Sequence, residues 1–428
     1  MRRLRTLRES RPRAHTFDPP GSCAAEQAEE GNRMGETNTG TPEDSVLPGV
    51  LKLGGHVLAE RMLRHRDGGI PMKKNEVDAE WLDRVLTDRH PGAAVESFDI
   101  VDAEGGTTSR WKATIRYNEA GRRAGLPEHL FAKTTLTFTQ RLTQYLAHAL
   151  PGEPGFFQQL RPELDIEAPR GYFGAADLRT GRSLTLLEDV SVTRGARFCT
   201  PLERVTREQM EDLLANMARW HGHYWESPEL TTRDWLKTPS AHFRNFDRLL
   251  GMRKRAEVGL KRAPDLVPET LPPVQGELYE ACGRALQIAE QSPQTLLHGD
   301  PHIGNAYVCA DGSMGFTDWQ LVMRGSWAFD VAYTITSGLE VEDRRSWEPD
   351  LIALYIDALH AAGGPALSFE SAWLAYRQQA LYPYFAWMIT IGRGALMPEF
   401  QPADICRAIV HRTAHAIMDL DALGAVGD

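Results

Sequence analysis

The chain has 428 residues, 42% hydrophobic and 25% charged. That size exceeds what one hydrophobic core organises, and the balance is that of a globular protein, which excludes collagen, rod and wholly disordered classes. A net charge of −10 argues against nucleic acid as a partner. The acidity belongs to the last third, where from Pro301 onward 7 Arg and no Lys face 15 Asp and Glu. Five dispersed cysteines without a C-x-x-C pair argue against a disulfide framework and for a cytoplasmic location. No run approaches 18 consecutive apolar residues, so no membrane partner is expected.

Among residues 1–46, only Leu4, Leu7, Phe17 and Val46 come from the Leu/Ile/Val/Phe set. The segment reads as a disordered tail, or as sequence upstream of a start at Met34. A short helix is expected over 50–64, and helical spacing of Val77, Trp81, Leu82 and Val85 predicts one over 76–86. Alternation then predicts strands over 98–103, 110–117 and 130–135. Helices follow over 140–149 and 156–164, and two more strands over 171–173 and 183–187. Past Asp189 long helices are expected over 203–225, 243–258, 273–289, 350–361, 369–391 and 403–420, with one strand-rich island over 307–317. Strands first and helices after predict an α+β, bilobal fold. Its parts are a tail and linker over 1–70, a small β-rich lobe over 71–189 and a large helical lobe over 190–428.

The stretch His298-Gly299-Asp300-Pro301-His302-Ile303-Gly304-Asn305, followed thirteen residues on by Asp318-Trp319, carries the chemistry. Phosphoryl transfer needs an acceptor for a hydroxyl proton and oxygen ligands that hold Mg²⁺ against the phosphates. The spacing H-x-D-x4-N, with an Asp at the end of a short hairpin, supplies both. His302 reads as a turn histidine. Lys133 lies in the apolar run Leu130-Phe131-Ala132-Lys133, where an ammonium is costly unless it meets an anion. A phosphate is one such anion and a helix carboxylate another; Glu153 is the candidate carboxylate, with Glu163 behind it. The run from Gly105 and Gly106 to Ser109 serves either as a phosphate cradle or as a plain hairpin turn. No Walker A sequence occurs.

These residues resemble the aminoglycoside/choline-kinase-like phosphotransferases, closest to the ecdysteroid-kinase and CHK-like branch. The resemblance rests on Phe131-Ala132-Lys133, on Glu153 with Phe156 and Phe157, on Glu188-Asp189-Val190, and on Trp220-His221. The loop from His298 to Asn305, Asp318-Trp319-Gln320 and Asp330-Val331-Ala332 complete it. It spans residues 76–420 and implies a protein-kinase-like fold binding ATP and Mg²⁺. By resemblance, Asp300 is the catalytic base or hydroxyl positioner, and Asn305 and Asp318 bind the metal. Lys133 contacts the phosphates with Glu153 as partner, Gly106 and Ser109 belong to the glycine loop, and Glu188 and Val190 form the adenine hinge. Asp330 braces the catalytic loop.

Only eleven residues separate Asp318 from Asp330, which leaves no activation segment for a protein substrate, so the expected partner is a small-molecule hydroxyl. The aromatic run Trp373, Tyr376, Tyr382, Tyr384, Phe385 and Trp387 suggests an apolar or natural-product alcohol, if it lines a pocket rather than a core. The alternatives are an aminoglycoside or choline kinase drawing a cation to the acidic third, and a nucleotide-binding pseudokinase. Residues around Glu340 to Asp343 and Glu348 to Asp350 read as a solvated loop. Oligomeric state is left unspecified.

Overall fold

The computed structural model describes residues 47–63, 70–71, 73–103, 107–394, 397 and 401–427. The expected N-terminal tail and the Gly106 position lie outside them. Two helices, α1 (Leu47–Leu63) and α2 (Ala79–Leu86), precede the first strands, β1 (Val95–Ala103) and β2 (Ser109–Tyr117). In β2 the period of two is plain: Trp111, Ala113, Ile115 and Tyr117 are buried, while Lys112, Thr114 and Arg116 are exposed. The Asp78 side chain caps α2 through the Trp81 N–H at 2.8 Å. That helix lays Trp81, Leu82 and Leu86 on the sheet, with the Trp81 ring edge-on to Phe173 at 5.5 Å.

After the short α3 (Glu119–Arg123) come β3 (His129–Thr134), α4 (Phe138–Leu146), α5 (Gly152–Gly155), β4 (Gly171–Asp177) and β5 (Arg182–Glu188). The five strands form one antiparallel sheet in the order β1-β2-β3-β5-β4. The helix expected over 156–164 is a wide π turn, Phe156–Leu160, and a 3-10 turn, Arg161–Glu163.

The helical lobe runs through α6 (Val190–Thr193), β6 (Arg197–Phe198), α7 (Arg207–His223), α8 (Pro239–Leu250), α9 (Met252–Arg262) and α10 (Tyr279–Gln291). Short strands β7 (Thr295–Leu297), β8 (Ala306–Val308), β9 (Met314–Phe316) and β10 (Met323–Gly325) follow. Helices α11 (Trp327–Gly338), α12 (Val341–Ala361), α13 (Phe369–Gln379), α14 (Tyr382–Ile391), α15 (Ala403–Asp419) and α16 (Ala422–Val426) close the chain. This is the bilobal protein-kinase-like fold, with one large core in the helical lobe and a second beneath the sheet. No helix among the described residues is long and apolar enough to cross a membrane.

Four expectations are corrected here. The helix over 243–258 is two helices interrupted at Gly251. The one expected over 273–289 becomes regular only at Tyr279, because Gly276 is non-helical. The helix over 369–391 breaks at Ala380 and Leu381, since Pro383 has no N–H to continue the ladder. Residues 340–350 are not a solvated loop: helix α12 starts at Val341, and Glu348 is buried against Arg344 and Tyr376 at 2.9 and 3.0 Å. Asp343 and Asp350 pair with Arg204 and Arg207, at 2.7 and 3.0 Å. A local charge pattern does not reveal partners more than a hundred residues away.

Removing the indole in Trp81→Ala should cost about 3–5 kcal/mol in urea unfolding. A loss below about 1 kcal/mol would show that α2 does not cover the sheet's core.

Candidate active site

Strand β3 puts Lys133 in register between Arg110 of β2 and Thr185 of β5. The lysine side chain is only 5% exposed, and its Nζ lies 2.8 Å from Glu153 Oε1 and 3.0 Å from Asp318 Oδ1. Burial opposes charge on Lys133, but the Asp318 and Glu153 carboxylates outweigh it and hold its pKa above the ordinary lysine value. For Glu153 burial wins and raises the pKa, against the opposing pull of Lys133. Asp318 is a quarter exposed; burial opposes its charge, but Lys133 and then Arg110 prevail and lower its pKa.

Two contacts tie the Glu153 helix to the segment after Asp318. A Cβ on Gly152 would stand 2.2 Å from the Gln320 carbonyl oxygen, so only glycine permits that approach. The Phe156 ring stacks on Trp319, with centroids 3.8 Å apart and planes 6° from parallel. Asp318 itself has a left-handed backbone, φ 62°, a conformation that is strained for a residue with a Cβ.

The catalytic-loop candidate leaves β7, which pairs with β10. Asp330, wholly buried on α11, accepts the backbone N–H of His298 at 2.6 Å through Oδ2 and of Gly299 at 3.1 Å through Oδ1. Gly299 has φ 83°, and a Cβ there would meet the Leu321 carbonyl oxygen at 2.0 Å. The Asn305 amide donates to the Asp300 carbonyl at 2.9 Å, and the Thr317 N–H donates to the Asn305 carbonyl at 2.8 Å. These bonds knit Asp300, Asn305 and the approach to Asp318 into one unit. With its Nδ2 turned to Asp300, Asn305 keeps its amide oxygen for another partner. Asp300 is a third exposed, and its Oδ1 accepts the Tyr333 hydroxyl at 2.9 Å.

Glu163 is elsewhere: Tyr224 donates to it at 3.3 Å. Ser109 Oγ donates to Gln140 Oε1 at 3.0 Å, so its hydroxyl joins the start of α4. Glu188 ends β5 and Val190 opens α6, both buried. Burial opposes ionisation of Glu188, but its bonds to Arg194 and Thr193 outweigh this and lower its pKa. His302 turns back on Gly304 N–H at 3.1 Å. Sequence reading missed Arg110, whose Nη2 lies 3.9 Å from Asp318 Oδ2, and Tyr333. Arg110 is visible only once strand register is known. Tyr333 follows Asp330 by three residues, nearly a helical turn, which was the available signal.

The aromatic run is also corrected. Tyr376, Tyr384 and Phe385 are 0% exposed and Trp387 is 4% exposed, so these rings pack the core rather than line an open pocket. Trp387 spends its indole N–H on the Tyr333 hydroxyl at 2.8 Å.

The chain belongs to the phosphotransferase enzyme family (APH), whose match covers residues 131–368, more than half of its length. It is a small-molecule kinase. No curated protein matches its sequence. Among solved structures, choline kinase from Streptococcus pneumoniae matches with a TM-score of 0.44 and 11% identity over 81% of this chain and 99% of its own. A microcompartment-associated aminopropanol kinase gives 0.45 and 12%, over 82% and 99%. Spectinomycin phosphotransferase, solved with ADP and spectinomycin, gives 0.42 and 12%, over 81% and 99%.

Replacing Lys133 by Met leaves two carboxylates in a site built around a cation. Lys133→Met should cost about 3–5 kcal/mol of stability, and adding Glu153→Leu should recover part of it. Equal and additive losses in denaturant unfolding would show that the two side chains do not act as a pair.

Proposed function

We propose that this chain transfers the γ-phosphoryl group of ATP to a hydroxyl of a small molecule. The observation that carries the reading is the Lys133–Glu153–Asp318 cluster, held at 2.8 and 3.0 Å beside a loop offering Asp300 and Asn305. Lys133, steadied by Glu153, binds the α- and β-phosphates, and Glu188 and Val190 form the adenine hinge. The donor set fits Mg²⁺: the Asn305 amide oxygen and the Asp318 carboxylate are hard oxygens and would hold it. Bound there, Mg²⁺ supplies charge neutralisation on the β- and γ-phosphates.

Asp300 accepts the proton of the acceptor hydroxyl as that oxygen bonds to the γ-phosphorus. The bond from the γ-phosphorus to the β-phosphate oxygen breaks, and ADP leaves with the displaced electron pair. The Asp330 carboxylate, by holding two successive N–H groups of the loop, fixes where Asp300 stands. A pseudokinase usually lacks one of Lys133, Asp300 or Asp318, and all three are present.

The acceptor reading follows from charge. Glu340, Asp343, Glu348, Asp350 and Asp419 are each paired with an arginine, so these five described carboxylates are not a free cluster for a polycation. Beside Asp300 stand His302 and Tyr333, neither of them an anion. We therefore favour a neutral natural-product or apolar alcohol over aminoglycosides and choline. Cys199, Cys282 and Cys309 are free thiols, consistent with a cytoplasmic enzyme.

With labelled ATP, neutral hydroxylated compounds should accept phosphate while kanamycin and choline do not. Asp300→Asn should cut turnover by about a hundredfold or more while leaving nucleotide binding intact. Near-normal turnover by that variant would remove Asp300 as the base, and transfer confined to kanamycin or choline would reverse the acceptor assignment.

A further inference from the structure

Helix α11 carries Asp330 and, three residues on, Tyr333, so one helix face supplies both the brace of the catalytic loop and a phenol aimed at Asp300. The direction of each bond in this cluster is fixed by chemistry. An indole N–H only donates, so Trp387 Nε1 must give its proton to Tyr333 Oη, at 2.8 Å. The single phenol proton is then left for Asp300 Oδ1, at 2.9 Å. Burial, and then the Asp300 charge, push the Tyr333 pKa far above its ordinary value, so the phenol stays a donor. Tyr333 is 2% and Trp387 4% exposed, and Tyr382 and Phe329 pack edgewise on the phenol ring at 6.0 and 6.5 Å.

The other carboxylate oxygen of Asp300 is held differently. Oδ2 has Asn305 Nδ2 at 3.4 Å and His302 Nε2 at 3.8 Å, both beyond the usual length of a strong hydrogen bond. His302 is itself set edge-on against the Trp387 ring at 4.9 Å.

We propose that Tyr333, fixed by Trp387, is a positioning residue that clamps Oδ1 of Asp300 and thereby presents Oδ2 alone to the acceptor hydroxyl. The inference rests on the kinase reading above and adds an atom-level assignment to it. A carboxylate free to turn about χ2 offers either oxygen in many orientations; a carboxylate bonded at Oδ1 offers one. In the transfer step the acceptor proton moves to Oδ2 while the Tyr333 proton stays on its phenol. Tyr333 neither gains nor loses a proton in the cycle, and its contribution is to orientation.

The test uses the full chain and four variants, Tyr333→Phe, Trp387→Phe, their double, and Asp300→Asn. Two rates are read, phosphate transfer to an accepted alcohol and slow hydrolysis of Mg·ATP to ADP and phosphate. Tyr333→Phe keeps the ring and loses one oxygen. It should lower kcat by about tenfold with the KM for ATP and the melting temperature nearly unchanged. Trp387→Phe should lower kcat less, and the double variant should be no slower than Tyr333→Phe, because the indole N–H acts on Asp300 only through the phenol. A purely structural role would instead lower the melting temperature and make the two losses multiply.

Wild-type kcat in Tyr333→Phe, or multiplying losses in the double variant, would overturn the clamp. If either single variant fails to fold, the other still decides: unaltered kcat in a folded Trp387→Phe together with an unfolded Tyr333→Phe assigns the phenol to stability and overturns the proposal. Asp300→Asn separates the two levels. Loss of turnover there with none in Tyr333→Phe sinks only the clamp; full turnover in Asp300→Asn removes Asp300 as the base and the clamp with it, and no turnover in the wild type sinks the kinase reading as well.

Discussion

An ammonium group with 5% exposure is tolerated in a folded protein only where anions surround it, and that requirement organises the small lobe. Lys133 lies in the middle of the five-stranded sheet, and the two carboxylates that satisfy it come from distant segments, Glu153 on α5 and Asp318 beyond β9. Meeting both fixes α5 against the sheet and draws the Asp318 segment up to it. Gly152 against Gln320, and Phe156 stacked on Trp319, then make the approach a packed contact. A paired cation beside a partly exposed carboxylate is a poised site. The carboxylate oxygen of Asp318 not engaged by Lys133 has Arg110 nearby at 3.9 Å.

The helical lobe answers with a second buried charge. Asp330 has no solvent contact and is satisfied by two backbone N–H groups and His221 Nε2 at 3.4 Å. His221, 0% exposed, also meets the Tyr355 hydroxyl at 2.7 Å, and burial lowers its pKa despite Asp330. Backbone N–H groups directed at one carboxylate stabilise a turn that would otherwise leave them unpaired inside the protein. The loop carrying Asp300 and Asn305 is therefore set by the α11 helix rather than by its own short strands.

The sheet and the major helices were legible because period-two and period-3.6 patterns are local. In β2, alternation from Trp111 to Tyr117 reads directly. Helix breaks at Gly251 and before Pro383 were also written in the sequence, but the apolar pattern runs through both and masked them. What was not legible depended on register or on distant partners. Arg110 opposes Lys133 only when β2 and β3 are aligned. The acidic run on α12 looks solvated until Arg204 and Arg207 of another element are brought to it. The aromatic run illustrates the same limit: its spacing is equally that of a pocket wall and of a core, and burial alone separates the two.

If the buried cluster is the phosphate-binding end of a kinase site, nucleotide affinity must depend on it. Calorimetric titration of ATP into the wild-type chain, with Mg²⁺ and with EDTA, tests this most directly, alongside Lys133→Met and Asp318→Asn. The account predicts binding in Mg²⁺, weaker binding in EDTA, and a loss of about tenfold or more in each variant that retains its fold. Equal affinity in all four measurements, or no binding to the wild type, would contradict it.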